Sequence, residues 1–262
     1  MARFGNARLF RSDVGSLGRA YFRTFGLADP SHFIRSQYFR GFTRDLKPRN
    51  ILDAGCGAGD YALFMAEHWT QARVCGLDVD EAQIMKNLDT AHRMGISNVE
   101  FNCKDLNSLV DKDIYDLITC IDALEHIEDQ TNVLRNFHRA LTNDGWLYLH
   151  VPLARPRPVP FSEHLHSMHE WSKHEHIAPM RTKDELLEMI KDSGLKVARW
   201  KYTFAYNAGE LACSLFALFH EDTALNRMGQ LLISPITRIL AYYELATMKA
   251  EGFALAVLAK RA

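Results

Sequence analysis

The chain has little charge imbalance, no long uninterrupted apolar run and no closely spaced cysteine pair. Lysine and arginine total 31 against 32 aspartates and glutamates, a formal net charge of -1, so no basic nucleic-acid face is expected. The two most apolar stretches, residues 211–219 and 231–243, fall short of the ~20 residues needed to cross a bilayer. The opening Met1-Ala2-Arg3-Phe4-Gly5-Asn6-Ala7-Arg8 lacks the apolar core of a secretory leader. Cys56, Cys75, Cys103, Cys120 and Cys213 show no C-x-x-C spacing. Several of them fall in expected buried strands, which predicts reduced core thiols and a cytoplasmic protein. There is no H-E-x-x-H pair either, and no metal is assigned.

What is present is a nucleotide-binding pattern. Ile51-Leu52-Asp53-Ala54-Gly55-Cys56-Gly57-Ala58-Gly59-Asp60 is an apolar run, a carboxylate and three alternating glycines, and Val74-Cys75-Gly76-Leu77-Asp78 is a second apolar run ending in a carboxylate. Read together they predict a strand, loop, helix, strand unit. Glycines admit tight turns and close approach of a ligand to the backbone, and an acid about 20 residues on can grip both ribose hydroxyls. Asp53 leads into the glycines and no basic residue adjoins them, so the loop favours an ammonium group over a pyrophosphate. An adenosine-containing ligand is expected.

These blocks, with two more, resemble a class I S-adenosylmethionine-dependent methyltransferase. Cys103-Lys104-Asp105-Leu106 resembles the adenine-binding turn, and Tyr115-Asp116-Leu117-Ile118-Thr119-Cys120-Ile121-Asp122-Ala123-Leu124-Glu125-His126 resembles the fourth strand with its trailing L-E-H. Residues 140–149 look like the next helix end, turn and strand, so the resemblance covers about residues 45 to 155. It implies a Rossmann-like, doubly wound α/β sheet of seven strands with the last antiparallel, and S-adenosyl-L-methionine as cofactor. By position it places Gly55 and Gly57 along the methionine moiety, Asp53 near its amino group, Asp78 on the ribose, Val79 against the adenine, and Asp105 with Leu106 at the adenine edge. Cys120, Ile121 and Asp122 are expected to face the sulfonium end, and Asp116 to be structural.

Outside this block, residues 1–45 form an expected helical cap rich in arginine and aromatics, within which Tyr38 or a neighbouring arginine is a candidate for the cofactor carboxylate. Residues 46–262 are the expected methyltransferase domain. Within it, 153–181 opens on Arg155-Pro156-Arg157-Pro158-Val159-Pro160 and then sets His164, His166, His169, His174 and His176 among Glu163, Glu170, Trp171 and Glu175. Prolines exclude a regular helix at its start, and its position after the fifth strand predicts a lid over the acceptor. Thr182 and Glu185 are spaced as a capping box that starts a helix through Asp192, ended by Gly194. Residues 209–251 form an expected helical insertion, on the sheet or as an apolar wall beside the active site, with a hydrophobic acceptor channel or a peripheral membrane contact as the sharper reading.

A sulfonium methyl is already activated, so the protein must align the acceptor and remove a proton where required. Histidine titrates near ~6.5 and suits that task. The expected catalytic candidates are His126, His166 and His169, with Asp122, His150 and Trp171 binding substrate. The strand end Ile121-Asp122-Ala123-Leu124 differs from N-P-P-Y, no P-C pair suggests pyrimidine carbon methylation, and His150-Val151-Pro152 departs from a magnesium-dependent catechol site. A small-molecule or lipid-like acceptor, methylated on oxygen, is the expectation. The rivals are a non-catalytic cofactor-binding regulator or partner subunit and, against the glycine spacing, an NAD-dependent oxidoreductase.

Overall fold

The computed structural model describes residues 2–12, 14–154, 179–219 and 223–261. One sheet is built from β1 Asn50–Ala54, β2 Arg73–Asp78, β3 Val99–Cys103, β4 Tyr115–Ile121, β5 Leu141–Pro152, β6 Leu195–Thr203 and β7 Ala254–Arg261. Its order is β3-β2-β1-β4-β5-β7-β6. Pairs among β1 to β5 are parallel, and β7 runs antiparallel to both neighbours. This is the seven-stranded Rossmann-like sheet expected from the sequence. Helices α1 Ser16–Phe25 and α2 Pro30–Thr43 precede β1, α3 Asp60–His68 follows β1, α4 Glu81–Met94 follows β2, and α5 Gln130–Ala140 joins β4 to β5. Helix α6 Lys183–Asp192 precedes β6, and α7 Gly209–Ala217 and α8 Ala224–Ala246 lie between β6 and β7.

Strand parity decides which side chains reach the crevice. Ile51, Leu117, Tyr148 and Ala256 turn to the face that packs on residues of α2, α3 and α4. Leu52, Ile118, Leu149 and Leu255 turn to the opposite face, with residues of α5 and α6. Asp53, Thr119 and His150 share the parity of the first set. They are thereby collected on one side of β1, β4 and β5, where the strand order reverses between β1 and β4 and the crevice of an open α/β sheet forms.

Helix α2 carries the cap onto that face. Asp29 starts it by accepting from Ser31 N at 2.8 Å, and Pro30 occupies the first turn, where a missing N–H costs nothing. Phe39 and Phe42 then meet the ring of Tyr148 on β5 at 5.3 and 5.7 Å between centroids. Burying each such ring stabilises by about 2–3 kcal/mol, so α2 is held against β5 by its aromatic side. The capping box of α6 forms as its spacing predicts, Thr182 N donating to Glu185 Oε2 at 2.7 Å and Glu185 N to Thr182 Oγ1 at 3.4 Å. The turn expected near residues 142–145 is absorbed as an irregularity at the start of β5, whose register shifts opposite Tyr115 and Leu117.

Helices α7 and α8 pack on each other and on α2. Their fastening is the fully buried Glu244, which accepts from Phe204 N at 2.9 Å, Ala205 N at 3.0 Å, Gly209 N at 3.2 Å and the Tyr38 hydroxyl at 3.1 Å. Lys249 supplies the countercharge at 3.3 Å. Tyr38 is therefore an anchor for α8, its hydroxyl committed to Glu244 and Lys249. No helix among the described residues is long and apolar enough to cross a membrane.

Candidate active site

The glycine loop is held open by backbone bonds to the next strand. Gly55 N and Cys56 N donate to Leu77 O at 2.8 and 2.9 Å, and Asn87 of α4 donates to Gly57 O at 2.7 Å. Asp78 Oδ2 accepts from Gly57 N at 2.7 Å while Oδ1 accepts from Asp80 N at 3.0 Å. Each oxygen thus keeps a lone pair for a diol beyond the end of β2. Gly57 has φ +46° and no heavy atom within 4 Å of the Cβ it lacks, so the loop faces open space there. Val79, 69% exposed at the strand end, offers a flat apolar contact beside that space.

Asp53 is 2% exposed and takes the Thr119 hydroxyl at 2.8 Å on Oδ1, while its Oδ2 has no aligned partner. Burial pushes its pKa up to about 7, against the pull of Thr119 and the Ala62 N–H. A buried carboxyl with a spare oxygen is suited to an incoming ammonium, which would restore its charge. Asp105 uses Oδ1 to accept from Asn107 N at 2.9 Å. The side chain of Leu106 is buried in the core on the α5 side.

Beyond β4 the chain places four polar side chains in a row from both ends of the sequence. Asp122, at φ +48°, lies 2.5 Å from Arg35 Nε of α2 and 2.5 Å from His150 Nδ1 of β5, and His150 Nε2 meets Thr203 Oγ1 of β6 at 3.0 Å. The Arg35 contact is a meeting of charges without hydrogen-bond alignment. Burial works against the Asp122 anion, but Arg35 and then His150 outweigh it and hold the carboxyl well below the usual range. His150 is 1% exposed. Both of its ring nitrogens are engaged, one by Asp122 and one by Thr203.

Around this row lie buried polar atoms with no aligned partner: Tyr61 OH, Tyr148 OH and Glu125 Oε2. After burial itself, the charge of Arg35 acts on the Tyr61 phenol and that of Asp122 on Tyr148 and Glu125. Burial, then Asp122, pushes the Glu125 carboxyl up to about 8. Unpaired buried polar groups cost free energy and mark places where a ligand or water completes the bonding. Glu125 and Tyr61 were not singled out in the sequence as site residues, and Arg35 was covered only as an arginine neighbouring Tyr38. The L-E-H block offered a signal for Glu125, because its short 3-10 turn, Leu124–His126, buries the acid and exposes His126.

The remaining expected residues fall as follows. Ile121 borders the α2 face, but Cys120 is fully buried on the opposite face beside Ile118 and Leu124, so strand parity turns its thiol away from the crevice. Asp116 is structural, accepting from Arg49 N and Asn50 N at 2.9 and 3.0 Å. His164, His166, His169, Trp171, His174 and His176 lie outside the described residues. The cap also reaches the glycine loop: Arg11 pairs with Asp60 at 3.0 Å and donates to Ala58 O, with Arg8 at 3.4 Å from Asp60. A separate groove of about 620 Å³, lined by Asn6, Glu67, Gly95 and Asn98 among others, opens at the amino ends of β2 and β3. It is remote from Asp78 and Asp122 and is not this site.

A family model described as a methyltransferase domain matches residues 29–199. The chain belongs to that family and is an S-adenosylmethionine-dependent methyltransferase. It is 28% identical over 181 residues to the ubiquinone biosynthesis O-methyltransferase of Neisseria meningitidis serogroup C, a match covering 64% of this chain and 72% of that protein. Among solved structures it is similar to the O-methyltransferase of a trans-AT polyketide synthase from Brevibacillus brevis in complex with S-adenosyl-L-homocysteine, with TM-score 0.62, 17% identity, and 100% and 81% of the two chains covered. The 4+2 cyclase SpnF is similar to the same degree, with TM-score 0.62, 21% identity, and 88% and 82% covered. One fold therefore serves both an O-methyltransferase and a cyclase, and at this identity the likeness extends to the fold alone.

Proposed function

We propose that the protein transfers the methyl group of S-adenosylmethionine to a hydroxyl oxygen of a hydrophobic small molecule. The observation that carries this reading is the placement of the ion-paired Asp122 at the switch point beside the Asp53–Asp78 cradle, walled by aromatic side chains of the cap. The name of the Neisseria relative supports oxygen as the acceptor atom.

In this reading Asp78 receives the ribose hydroxyls, Asp53 the ammonium, Val79 the adenine face and the Gly57 backbone the close approach of the chain between them. The cofactor supplies the activated methyl group. Arg35 and His150 fix the Asp122 carboxylate as an anion, which orients the acceptor hydroxyl at the mouth of β4. The α2 cap excludes water from that point, and alignment of acceptor with methyl carries most of the rate. A histidine takes the hydroxyl proton as the new carbon–oxygen bond forms. With His150 committed on both nitrogens, that role falls to His126, or to His166 and His169.

Calorimetry with S-adenosylmethionine and the Asp78→Ala protein tests the cradle: affinity should fall by at least about tenfold, the loss of one charge-assisted bond, while the circular dichroism spectrum is kept. Equal affinity would overturn the ribose assignment. Transfer of a labelled methyl group into a cell extract, split into organic and aqueous phases, tests the acceptor. Label in the organic phase is expected, aqueous label would remove the hydrophobic acceptor, and binding of the cofactor with no label in either phase would overturn the transferase reading itself.

A further inference from the structure

Helix α8 presents an unusual outer surface. Leu225, Met228, Leu232, Ile236, Ile239 and Tyr243 recur three or four residues apart and all are exposed, Leu232 at 76% and Ile239 at 68%. This spacing puts them on one stripe of a 23-residue helix, about 35 Å long at 1.5 Å per residue. The other outward positions described along it, Pro235, Tyr242 and Ala246, are also free of charge. The carboxylate of the helix, Glu244, is fully buried. A stripe of this length exceeds the scattered apolar exposure normal on a soluble surface.

The stripe is flanked by unpaired positive charge. The end of α1 lies along α8, with Tyr21 OH bonded to Ser234 Oγ and Arg238 donating to Phe25 O and Leu27 O. Phe25 is exposed and extends the apolar surface. Arg3, which donates to Arg23 O, and Arg238 meet here, and neither forms an ion pair among the described residues. Arg238 has its pKa lowered by burial and also by the like charge of Arg3. Apolar side chains over a basic rim, with tyrosines at one end, match the depth profile of a bilayer interface with acidic headgroups. Pairing two copies along the same stripe would instead set two unpaired arginine groups beside each other.

We propose that the α1–α8 surface docks on an anionic phospholipid bilayer, with the α8 stripe lying in the interfacial plane. This surface is independent of which acceptor the crevice takes. It would let a hydrophobic acceptor pass from lipid to crevice without crossing water.

Flotation of the full chain with phosphatidylcholine vesicles, with and without about one third phosphatidylglycerol, tests it. Binding is expected to the anionic vesicles and to weaken with salt. The triple substitution L232E/I236E/I239E, at exposed positions, should keep the helical spectrum and lose binding by more than about tenfold. Arg3→Gln, exposed beside Arg238, should weaken binding about fivefold and reduce its salt dependence. Failure to bind either vesicle, or binding unaffected by both changes, would overturn the proposal. So would a wild-type dimer in sedimentation that the triple substitution turns to monomer, since that result would assign the stripe to a second copy of the chain.

Discussion

At neutral pH the Glu125 carboxyl, pushed up to about 8 by burial and then by Asp122, is largely protonated, while Asp53, pushed up to about 7 by burial, is close to half so. Both values are raised above the ordinary 4.5 and 3.8. The stability these groups support is therefore complete below those ordinary values and is lost as pH rises through about 7 and 8. The wild type should melt several degrees lower at about pH 8 than at about pH 5. Glu125→Gln cannot ionise and should show a smaller fall, and thermal scans giving equal falls for both proteins would remove Glu125 as a titrating group. The placement of Asp78 against the glycine loop was legible in the sequence because its partners are local: the glycines, the strand end and the acid lie within one unit. Arg35, Asp122, His150 and Thr203 come together across most of the chain, so the sequence named His150 yet could not reveal that both its nitrogens are taken. Cys120 was misplaced for a simpler reason, since a strand end fixes a position while parity fixes the face.

The glycine loop separates two consequences of adding one methyl group. At Gly55 an added Cβ would stand 2.4 Å from the Ala123 Cβ, on a residue already at φ +72°. Gly57→Ala meets no neighbour, and φ +46° lies near the region that other residues tolerate at a cost of about 1 kcal/mol. Gly55→Ala should therefore lower the melting temperature by several degrees, through strain of about 1–3 kcal/mol plus displacement of the loop after β4. Gly57→Ala should melt close to wild type and lose cofactor affinity in calorimetry, because its methyl group enters the ligand's space. A large loss of stability in Gly57→Ala would mean that the loop is held by something other than the contacts described. The elements themselves were largely readable. Strand and helix periods, the α6 capping box and the antiparallel last strand all rest on local pattern or family resemblance. The outer stripe of α8 was not legible as exposed, because apolar spacing predicts a face that seeks cover and says nothing of whether α2 or solvent receives it.

For the molecule as a whole, cofactor binding and stability are linked. S-adenosylmethionine at about a hundred times its dissociation constant should add about 2.7 kcal/mol to stability and raise the melting temperature by roughly 5–10 °C. Asp78→Ala at the same concentration should show much less of that rise, and equal shifts would mean that the ligand binds elsewhere. The four-membered row at Asp122 also orders the events of folding. Arg35 belongs to a helix synthesised before any strand of the sheet, and Thr203 to the sixth strand. Contacts so distant in sequence pay their loop entropy late, whereas the β1–α3–β2 unit closes over a short span. On the ribosome, the nucleotide loop can therefore take shape while α2 still waits for its floor, and a chain released before β6 would hold His150 without its threonine. The glycine loop with Asp78 is thus a short-range assembly, whereas the row at Asp122 can close only once β6 has been made.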